Sequence, residues 1–251
     1  MFKGSLFATL LLICSLGCGS ALAALDKNST ALVTGANRGI GLELATQLKA
    51  MNVNVIGTAR NPASAAELNA LDVRVEQLDV ADAASVAALA ERLKGVKIDL
   101  LINNAGVGGQ AANTLADIDF EQLAQVFSIN STGPMRVTQA LLPNLTAGSG
   151  KTVVQVSSVM GSIAQNAGGY YGYRASKAAL NMLNKSLSAE LGPQGFTCVV
   201  VHPGWVKTRM GGAAAPVEVP DSVAGLLKVI DGLQPEDNGR FIDFQGNEIP
   251  W

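Results

Sequence analysis

Tyr173 and Lys177 are the side chains whose types and spacing most directly suggest chemistry. They stand four residues apart in a stretch that Ala178, Ala179 and Leu180 make favourable for a helix. Residues four apart on a helix share a face, with Cβ atoms about 5–6 Å apart. Because a nearby cation stabilises a phenolate, we expect Lys177 to lower the pKa of Tyr173 and make it a proton donor or acceptor. Such pairs also occur on ordinary amphipathic helices, so the rest of the sequence must show whether this pair has a chemical role.

The elements that would position this pair alternate along the chain. Short β-branched runs alternate with longer stretches rich in alanine and leucine, a pattern typical of an α/β protein with a parallel sheet. We predict a single, doubly wound domain with a seven-stranded parallel sheet flanked by helices. The predicted strands lie at about 30–34, 53–58, 73–78, 98–102, 151–156, 197–201 and 240–243, with an uncertainty of roughly 2–4 residues at each end. The predicted helices lie at 39–50, 63–70, 83–93, 119–145, 172–191 and 222–230.

A glycine-rich turn follows the first predicted strand. Gly35, Gly39 and Gly41 lie between this strand and the first helix. Glycines let a backbone approach a ligand closely, and the free N–H groups at a helix N-terminus bind phosphate. The turn is therefore a candidate pyrophosphate site, although a plain tight turn has the same composition.

A second ligand-binding position is predicted where the fourth strand ends in Asn103-Asn104-Ala105-Gly106. In a doubly wound sheet this strand lies beside the first, and the two strand ends form the ligand crevice. Amide side chains and a glycine there could line that crevice, or could form an ordinary loop.

Composition excludes several classes of function. The chain has 251 residues, 48% of them hydrophobic, which is enough for one large core. A formal net charge of -2 offers no positive field for a nucleic-acid backbone, so nucleic acid is not an expected partner. His202 is the only histidine, which excludes zinc sites of the H-E-x-x-H type. We expect no metal and assign no chemistry to His202.

Residues 1–23 have the layout of a signal peptide. Lys3 supplies the positive end, an apolar stretch follows, and the small residues Ala21 and Ala23 predict cleavage after Ala23. We therefore expect an exported protein, periplasmic or secreted. Two other interpretations are a lipoprotein signal that modifies Cys18, and an uncleaved segment on a membrane-anchored or cytoplasmic protein.

The order of these motifs resembles that of the short-chain dehydrogenase/reductase family. The resemblance covers nearly all of residues 30–251 and includes three further motifs. These are Val156-Ser157-Ser158 with Gly161, Ile129-Asn130-Ser131-Thr132-Gly133, and His202-Pro203-Gly204-Trp205-Val206-Lys207-Thr208. The ending Ile249-Pro250-Trp251 and the run Tyr170-Tyr171-Gly172-Tyr173 are similar to the carbonyl-reductase-like branch that includes sniffer and C-factor proteins. The resemblance implies that residues 24–251 form a Rossmann-type NAD(P)-binding domain.

The resemblance implies four catalytic residues: Ser158, Asn130, Tyr173 and Lys177. Tyr173 would exchange a proton with the substrate oxygen while hydride moves to or from the nicotinamide, and Lys177 would also bind the nicotinamide ribose. Ser158 would hold the substrate oxygen; its choice over Ser157 comes from the family alignment, and the fourteen residues between Ser158 and Tyr173 indicate a small insertion. Asn130 would bind a backbone carbonyl or water in a proton relay through Lys177, or would make only a packing hydrogen bond.

NADP is the predicted cofactor, with NAD less favoured. NAD-preferring relatives place an acid at the end of the second strand, where this chain has Arg60, and Arg38 in the glycine turn can approach the same point. Two guanidinium groups suit a 2′-phosphate, unless both are simply solvated. Asp79 would contact the adenine, unless it only caps a helix. The predicted cofactor-binding residues are Gly35, Asn37, Arg38, Gly39, Ile40, Gly41, Arg60, Asp79, Val80, Asn104, Ala105, Gly106, Tyr173, Lys177, Pro203, Gly204, Val206 and Thr208.

The function implied is an NADP-dependent carbonyl reductase or alcohol dehydrogenase that acts on a small carbonyl or alcohol. The alternative is a catalytically silent nucleotide-binding module for signalling or redox sensing. An extended sugar-nucleotide epimerase is a third hypothesis, but its first two glycines would be three apart, whereas Gly35 and Gly39 are four apart. A flap predicted at 209–220 carries only Arg209 and Glu218 as charges, which favours an apolar substrate. Relatives are often dimers or tetramers, so a homodimer or a homotetramer is allowed.

Overall fold

A computed structural model describes residues 25–109 and 112–251 of the protein. The predicted signal peptide, 1–23, lies outside the described residues. The seven strands are β1 (Thr30–Val33), β2 (Asn54–Ala59), β3 (Arg74–Gln77), β4 (Leu100–Asn103), β5 (Thr152–Val156), β6 (Thr197–His202) and β7 (Phe241–Asp243). They form one parallel sheet in the order β3-β2-β1-β4-β5-β6-β7. The predicted α/β class and seven-stranded parallel sheet are confirmed.

Eight helices flank this sheet in the described part of the chain. They are α1 (Gly39–Ala50), α2 (Ala66–Ala70), α3 (Ala83–Arg92), α4 (Phe120–Phe127), α5 (Gly133–Ala140), α6 (Leu142–Ala147), α7 (Tyr171–Leu191) and α8 (Val219–Asp231). Within residues 25–109 and 112–251, no helix combines the length and the apolar character needed to cross a bilayer.

Two helix predictions need correction. The predicted helix 119–145 is three helices, α4, α5 and α6, and a five-residue π turn, Ser128–Thr132, separates the first two. The prediction of one helix was wrong because polar side chains in this turn bond to other elements. The predicted helix 63–70 begins instead with a 3₁₀ turn at Pro62–Ser64, since Pro62 has no N–H and Asn61 caps that turn.

The strands other than the edge strand β3 are mostly buried on both faces, which explains their composition of mainly β-branched residues and leucine. In β1, Ala31 and Val33 pack toward α1 and α8, and Leu32 packs toward the opposite helical layer. The register continues this alternation across the sheet, since Leu32 pairs with Leu101 of β4, which pairs with Val153 of β5. This two-sided burial holds all the strand ends at one rigid edge.

The turn from β1 into α1 is closely packed. Gly35 has a φ of +66° and approaches Ala105, so that a Cβ on Gly35 would lie 3.0 Å from the Ala105 Cα. A Cβ on Gly41 would lie 2.3 Å from the Gly35 carbonyl oxygen and 2.5 Å from Asn104 Nδ2. The contact of the Gly41 Cβ with the Gly35 carbonyl is with backbone, so no flexible side chain could move aside to relieve it.

We predict that Gly41→Ala destabilises the protein. Alanine is favoured over glycine in a helix by about 0.8–1 kcal/mol. Forcing a methyl group against fixed backbone costs about 1–3 kcal/mol, so the steric cost should win. Chemical denaturation would measure the change in the free energy of unfolding. Gly172→Ala is the matched control, because a Cβ at that helical position meets nothing within 4 Å. Equal stabilisation by both substitutions would contradict the prediction.

Candidate active site

The predicted site residues lie at the carboxyl edge of the parallel sheet. Gly35–Gly41 follow β1, Arg60 follows β2, Asp79 and Val80 follow β3, Asn104–Gly106 follow β4, Ser158 follows β5, and Pro203–Thr208 follow β6. Because the carboxyl ends of parallel strands meet at one edge, this places segments far apart in sequence around one cleft. The α7 helix adds Tyr173 and Lys177, and the π turn adds Asn130.

The side chains of Ser158 and Tyr173 lie next to each other. Burial raises the pKa of the Tyr173 phenol, and a hydrogen bond with the Ser158 side chain partly offsets that effect. The Ser157 hydroxyl instead donates to Asn181 Oδ1 of α7, at 2.7 Å. The structure therefore separates the two neighbouring serines: Ser158 lies beside the tyrosine, and Ser157 anchors β5 to α7.

Lys177 does not lower the pKa of Tyr173 in this structure, so that expectation was wrong. Its Nζ donates to the Val156 carbonyl at 2.8 Å and lies 5.9 Å from the centroid of the Tyr173 ring. The lysine side chain is itself buried, and burial lowers the pKa of Lys177 to about 8. At neutral pH the group is still mostly an ammonium, held inside the protein between α7 and the end of β5.

Asn130 is fully buried and uses both ends of its amide. Its Nδ2 donates to the Val107 carbonyl at 2.8 Å and to Ser176 Oγ at 3.1 Å, and its Oδ1 accepts the Val107 N–H at 2.9 Å. The backbone carbonyl contact expected of this residue is therefore present. A Cβ on Gly106 would lie 3.3 Å from Asn130 Oδ1 and 3.7 Å from Lys177 Nζ, so the three residues adjoin. A relay of protons through them stays a prediction.

The crevice between β1 and β4 is braced by Thr34, a residue that the sequence analysis missed. Its Oγ1 accepts the N–H groups of Asn104 and Ala105, both at 3.0 Å. Asn104 Nδ2 returns hydrogen bonds to the carbonyls of Thr34 and Gly35, at 2.9 and 3.3 Å. Asn104 therefore shapes the glycine turn. A threonine at the end of the first strand was the available signal.

Arg38 has two arginine neighbours, Arg60 and Arg209. Partial burial lowers the pKa of Arg38, and the like charges of Arg209 and Arg60 lower it further. Arg38 and Arg60 therefore approach the same region, as predicted from the sequence. Arg209 was noted only as one of two charges on the flap, and nothing in the spacing of the sequence places it near the glycine turn.

The flap crosses the cleft. Thr208 lies against the glycine turn, since a Cβ on Gly39 would be 3.5 Å from Thr208 Cγ2. Met210 lies against the loop after β4, since a Cβ on Gly108 would be 3.5 Å from Met210 Cγ. The two contacts connect this segment to the glycine turn on one side and to the loop after β4 on the other.

The insertion between Ser158 and Tyr173 is tied to the end of the described chain. Ser162 Oγ donates to the Pro250 carbonyl at 2.6 Å, and the Ala164 N–H donates to the Trp251 carbonyl at 2.9 Å. These bonds hold one wall of the cleft beside the catalytic serine candidate.

The remaining predicted cofactor residues have mixed surroundings. Asp79 accepts the Ala81 N–H at 3.0 Å, but Asp82 is the residue that caps α3, so the helix-cap alternative for Asp79 was wrong. The Val80 side chain is buried in the core, and the Val80 carbonyl accepts a hydrogen bond from the Arg136 guanidinium. Gly204 has a φ of +87°, and Val206 pairs with Val217 at the base of the flap. Asn37 and Ile40 lie in the segment from Gly35 to Gly41. The Pro203 carbonyl accepts a hydrogen bond from the Ser222 hydroxyl.

Among residues 25–109 and 112–251, no group of three histidine, cysteine or carboxylate side chains is close enough to hold a metal ion. The single histidine, His202, is largely buried, and burial lowers its pKa to about 4. It is therefore neutral at physiological pH.

Comparisons with known proteins agree with this arrangement. The family model described as short chain dehydrogenase matches residues 29–218. The C-signal of Myxococcus xanthus is 55% identical over 155 residues, which is 61% of this chain and 93% of that protein. The NADPH-bound carbonyl reductase from chicken fatty liver is 38% identical with a TM-score of 0.83, covering 88% of this chain and 98% of that one. Carbonyl reductase Sniffer of D. melanogaster is 33% identical with a TM-score of 0.85, covering 89% and 99%.

Proposed function

The chain belongs to the short-chain dehydrogenase family of oxidoreductases, and from that membership we propose that it is an NADP-dependent carbonyl reductase. The substrate is a small carbonyl compound, and the reverse reaction oxidises the corresponding alcohol. The observation that carries the proposal is the placement of Tyr173 beside the buried Ser158, with the buried Lys177 four residues along the same helix. A protonated phenol beside a hydroxyl group can donate its proton to a carbonyl oxygen that both groups bind.

The side chains divide the reaction between them. NADPH, when bound, would supply the hydride for the carbonyl carbon, and the Tyr173 hydroxyl would donate its proton to the carbonyl oxygen. Ser158 donates a hydrogen bond to the same oxygen, whose negative charge grows in the transition state. Lys177, whose ammonium donates to the Val156 carbonyl, would bind the nicotinamide ribose and hold it beside Tyr173. Asn130 fixes the loop that carries Val107 and orients Ser176 in α7.

The residues of the cleft fit an NADP molecule. The glycine turn leads directly into α1, whose first N–H groups can bind a pyrophosphate. Arg38 and Arg60 can bind the 2′-phosphate. No carboxylate that would repel this phosphate lies in β2, Asn54–Ala59. Tyr173 and Lys177 lie at the other end of the cleft, where the nicotinamide ribose would bind.

Three large apolar side chains in segments that follow β5 and β6 are exposed. They are Ile163, Trp205 and Met210. An apolar or weakly polar carbonyl compound therefore fits better than a phosphorylated one. Homodimer and homotetramer stay predictions.

The similarity to the C-signal supports a second candidate, a nucleotide-binding signalling module on the same fold. An intact set of Ser158, Asn130, Tyr173 and Lys177 argues against loss of turnover. Oxidation of NADPH with a panel of carbonyl compounds distinguishes the two, because only the enzyme turns the cofactor over.

We predict that Tyr173→Phe lowers kcat by about 10²- to 10⁴-fold while leaving NADPH binding nearly unchanged. The ring still packs, and only the transferable proton is lost. Steady-state kinetics and a fluorescence titration with NADPH measure the two properties. Tyr171→Phe is the matched control, since Tyr171 is exposed two residues earlier and should keep full activity. Retention of more than about a tenth of kcat in Tyr173→Phe, under 1.4 kcal/mol in the barrier, would exclude Tyr173 as the acid.

We also predict that Arg38→Ala and Arg60→Ala each weaken NADPH binding by about tenfold or more, since each removes a charge-assisted contact. NADH binding should barely change. Paired titrations with the two cofactors test this, and Lys94→Ala is a control at the opposite, amino-terminal edge of the sheet. A wild-type protein that binds NADH as tightly as NADPH would show that the arginines do not select.

We propose, finally, that the protein is exported and that the mature chain begins near Ala24. The charge, apolar run and small-residue site of residues 1–23 support this. N-terminal sequencing of the protein from its native cells should give a start near Ala24. An intact Met1 on protein recovered from the cytoplasm would refute export.

A further inference from the structure

Arg38 has two arginine neighbours, Arg60 and Arg209, whose like charges lower its pKa, and none of the three forms an ion pair in the described residues. The ion pairs in residues 25–109 and 112–251 involve other cations, namely Lys49, Arg74, Arg92, Lys207 and Arg240. Arg38, Arg60 and Arg209 make none of them. Like charges that lie close together repel one another. Binding of an anion near the three arginines would therefore be favourable.

The backbone on either side of Arg209 is held in place. Thr208 lies against Gly39, the residue after Arg38, so the two arginines flank a direct contact between flap and glycine turn. Thr208 Oγ1 accepts the Gly211 N–H at 3.1 Å, and the Thr208 carbonyl accepts the Gly212 N–H at 2.9 Å. These bonds make a tight turn, so Arg209 is presented from an ordered segment. The lowering of the Arg38 pKa by Arg209 is consistent with this proximity.

Lys207, just before the flap, provides the contrast. Its ammonium pairs with Glu218, so its charge is already offset. Arg209, two residues later, forms no ion pair in the described residues, and its charge lowers the pKa of Arg38. The segment 207–209 therefore carries one neutralised cation and one cation available to a ligand.

We propose that Arg209 is a third guanidinium for the 2′-phosphate of NADP and so a determinant of cofactor specificity. The inference rests on the proposed use of NADP. Arg38 and Arg60 hold the phosphate from the sheet, and Arg209 holds it from the flap. NADP therefore engages three arginines through its 2′-phosphate, whereas NAD has no group for them to bind. One of the three, Arg209, belongs to the flap and not to the strand ends.

The test uses fragments that lack the nicotinamide, so that catalysis is not involved. Calorimetric titration with 2′,5′-ADP and with 5′-AMP separates the 2′-phosphate from the rest of the nucleotide. Arg209→Ala should weaken 2′,5′-ADP binding by about tenfold and leave 5′-AMP binding unchanged. Arg209→Lys should recover part of the loss, since it keeps the charge but not the forked donors. Lys207→Ala is the matched control and should bind both fragments like the wild-type protein.

Three results would overturn the inference or its premise. An unchanged 2′,5′-ADP affinity in Arg209→Ala shows that Arg209 makes no contact. An equal loss for both fragments shows that it binds the 5′-phosphate instead. If the wild-type protein itself binds the two fragments equally, the proposed NADP preference fails along with the inference, whereas the first two results leave that preference intact. Arg209 is exposed, so the variants should unfold at the wild-type temperature, and a thermal scan verifies this.

Discussion

The hydrogen bonds between the ends of β1 and β4 are the interaction on which the cleft depends. A doubly wound sheet leaves a gap where its strand order reverses, and here that gap is bridged by Thr34 and Asn104. Each supplies side-chain bonds to the other's backbone. The bridge sets the path of the glycine turn on one side and of the loop leading to Val107 on the other. The two halves of the site are thus positioned by one short polar contact.

The proposed catalytic groups lie largely inside the protein, and that location explains their electrostatics. A buried ammonium is disfavoured by desolvation, and Lys177 is tolerated because the Val156 carbonyl and the Tyr173 ring face surround it. Burial also raises the pKa of the Tyr173 phenol.

Much of the fold could be predicted from the sequence because its signals are local. A β-branched run such as 197–201 forms a strand almost wherever it is buried, and glycines after the first strand mark a turn. The spacing of Tyr173 and Lys177 was sufficient to place both on one helix. The predictions that failed concern properties that depend on contacts between elements far apart in the sequence. The raised pKa of Tyr173 reflects burial by the whole fold, which spacing cannot report. The proximity of Arg209 to Arg38 depends on how the flap crosses the cleft.

The break in the predicted helix 119–145 has the same origin. Asn130 and Ser131 bond to Val107 and to Ser176, both outside their own helix, and the backbone widens into a π turn to allow it. Local propensity favours an uninterrupted helix there. The choice between Ser157 and Ser158 likewise needed the position of α7, since adjacent residues on an extended segment point to opposite sides.

The π turn also limits how this enzyme could be engineered for heat resistance. A redesign guided by helix-forming tendency would replace Ser128–Thr132 and Gly133 with alanine, leucine or glutamate. Such changes would remove the Asn130 amide, and a methyl group at position 133 would lie 2.9 Å from the Ser128 carbonyl. Local regularity and activity thus oppose each other in this segment. Substitutions that raise thermal tolerance are better sought on the solvent-facing sides of α3 and α8, away from the carboxyl edge of the sheet.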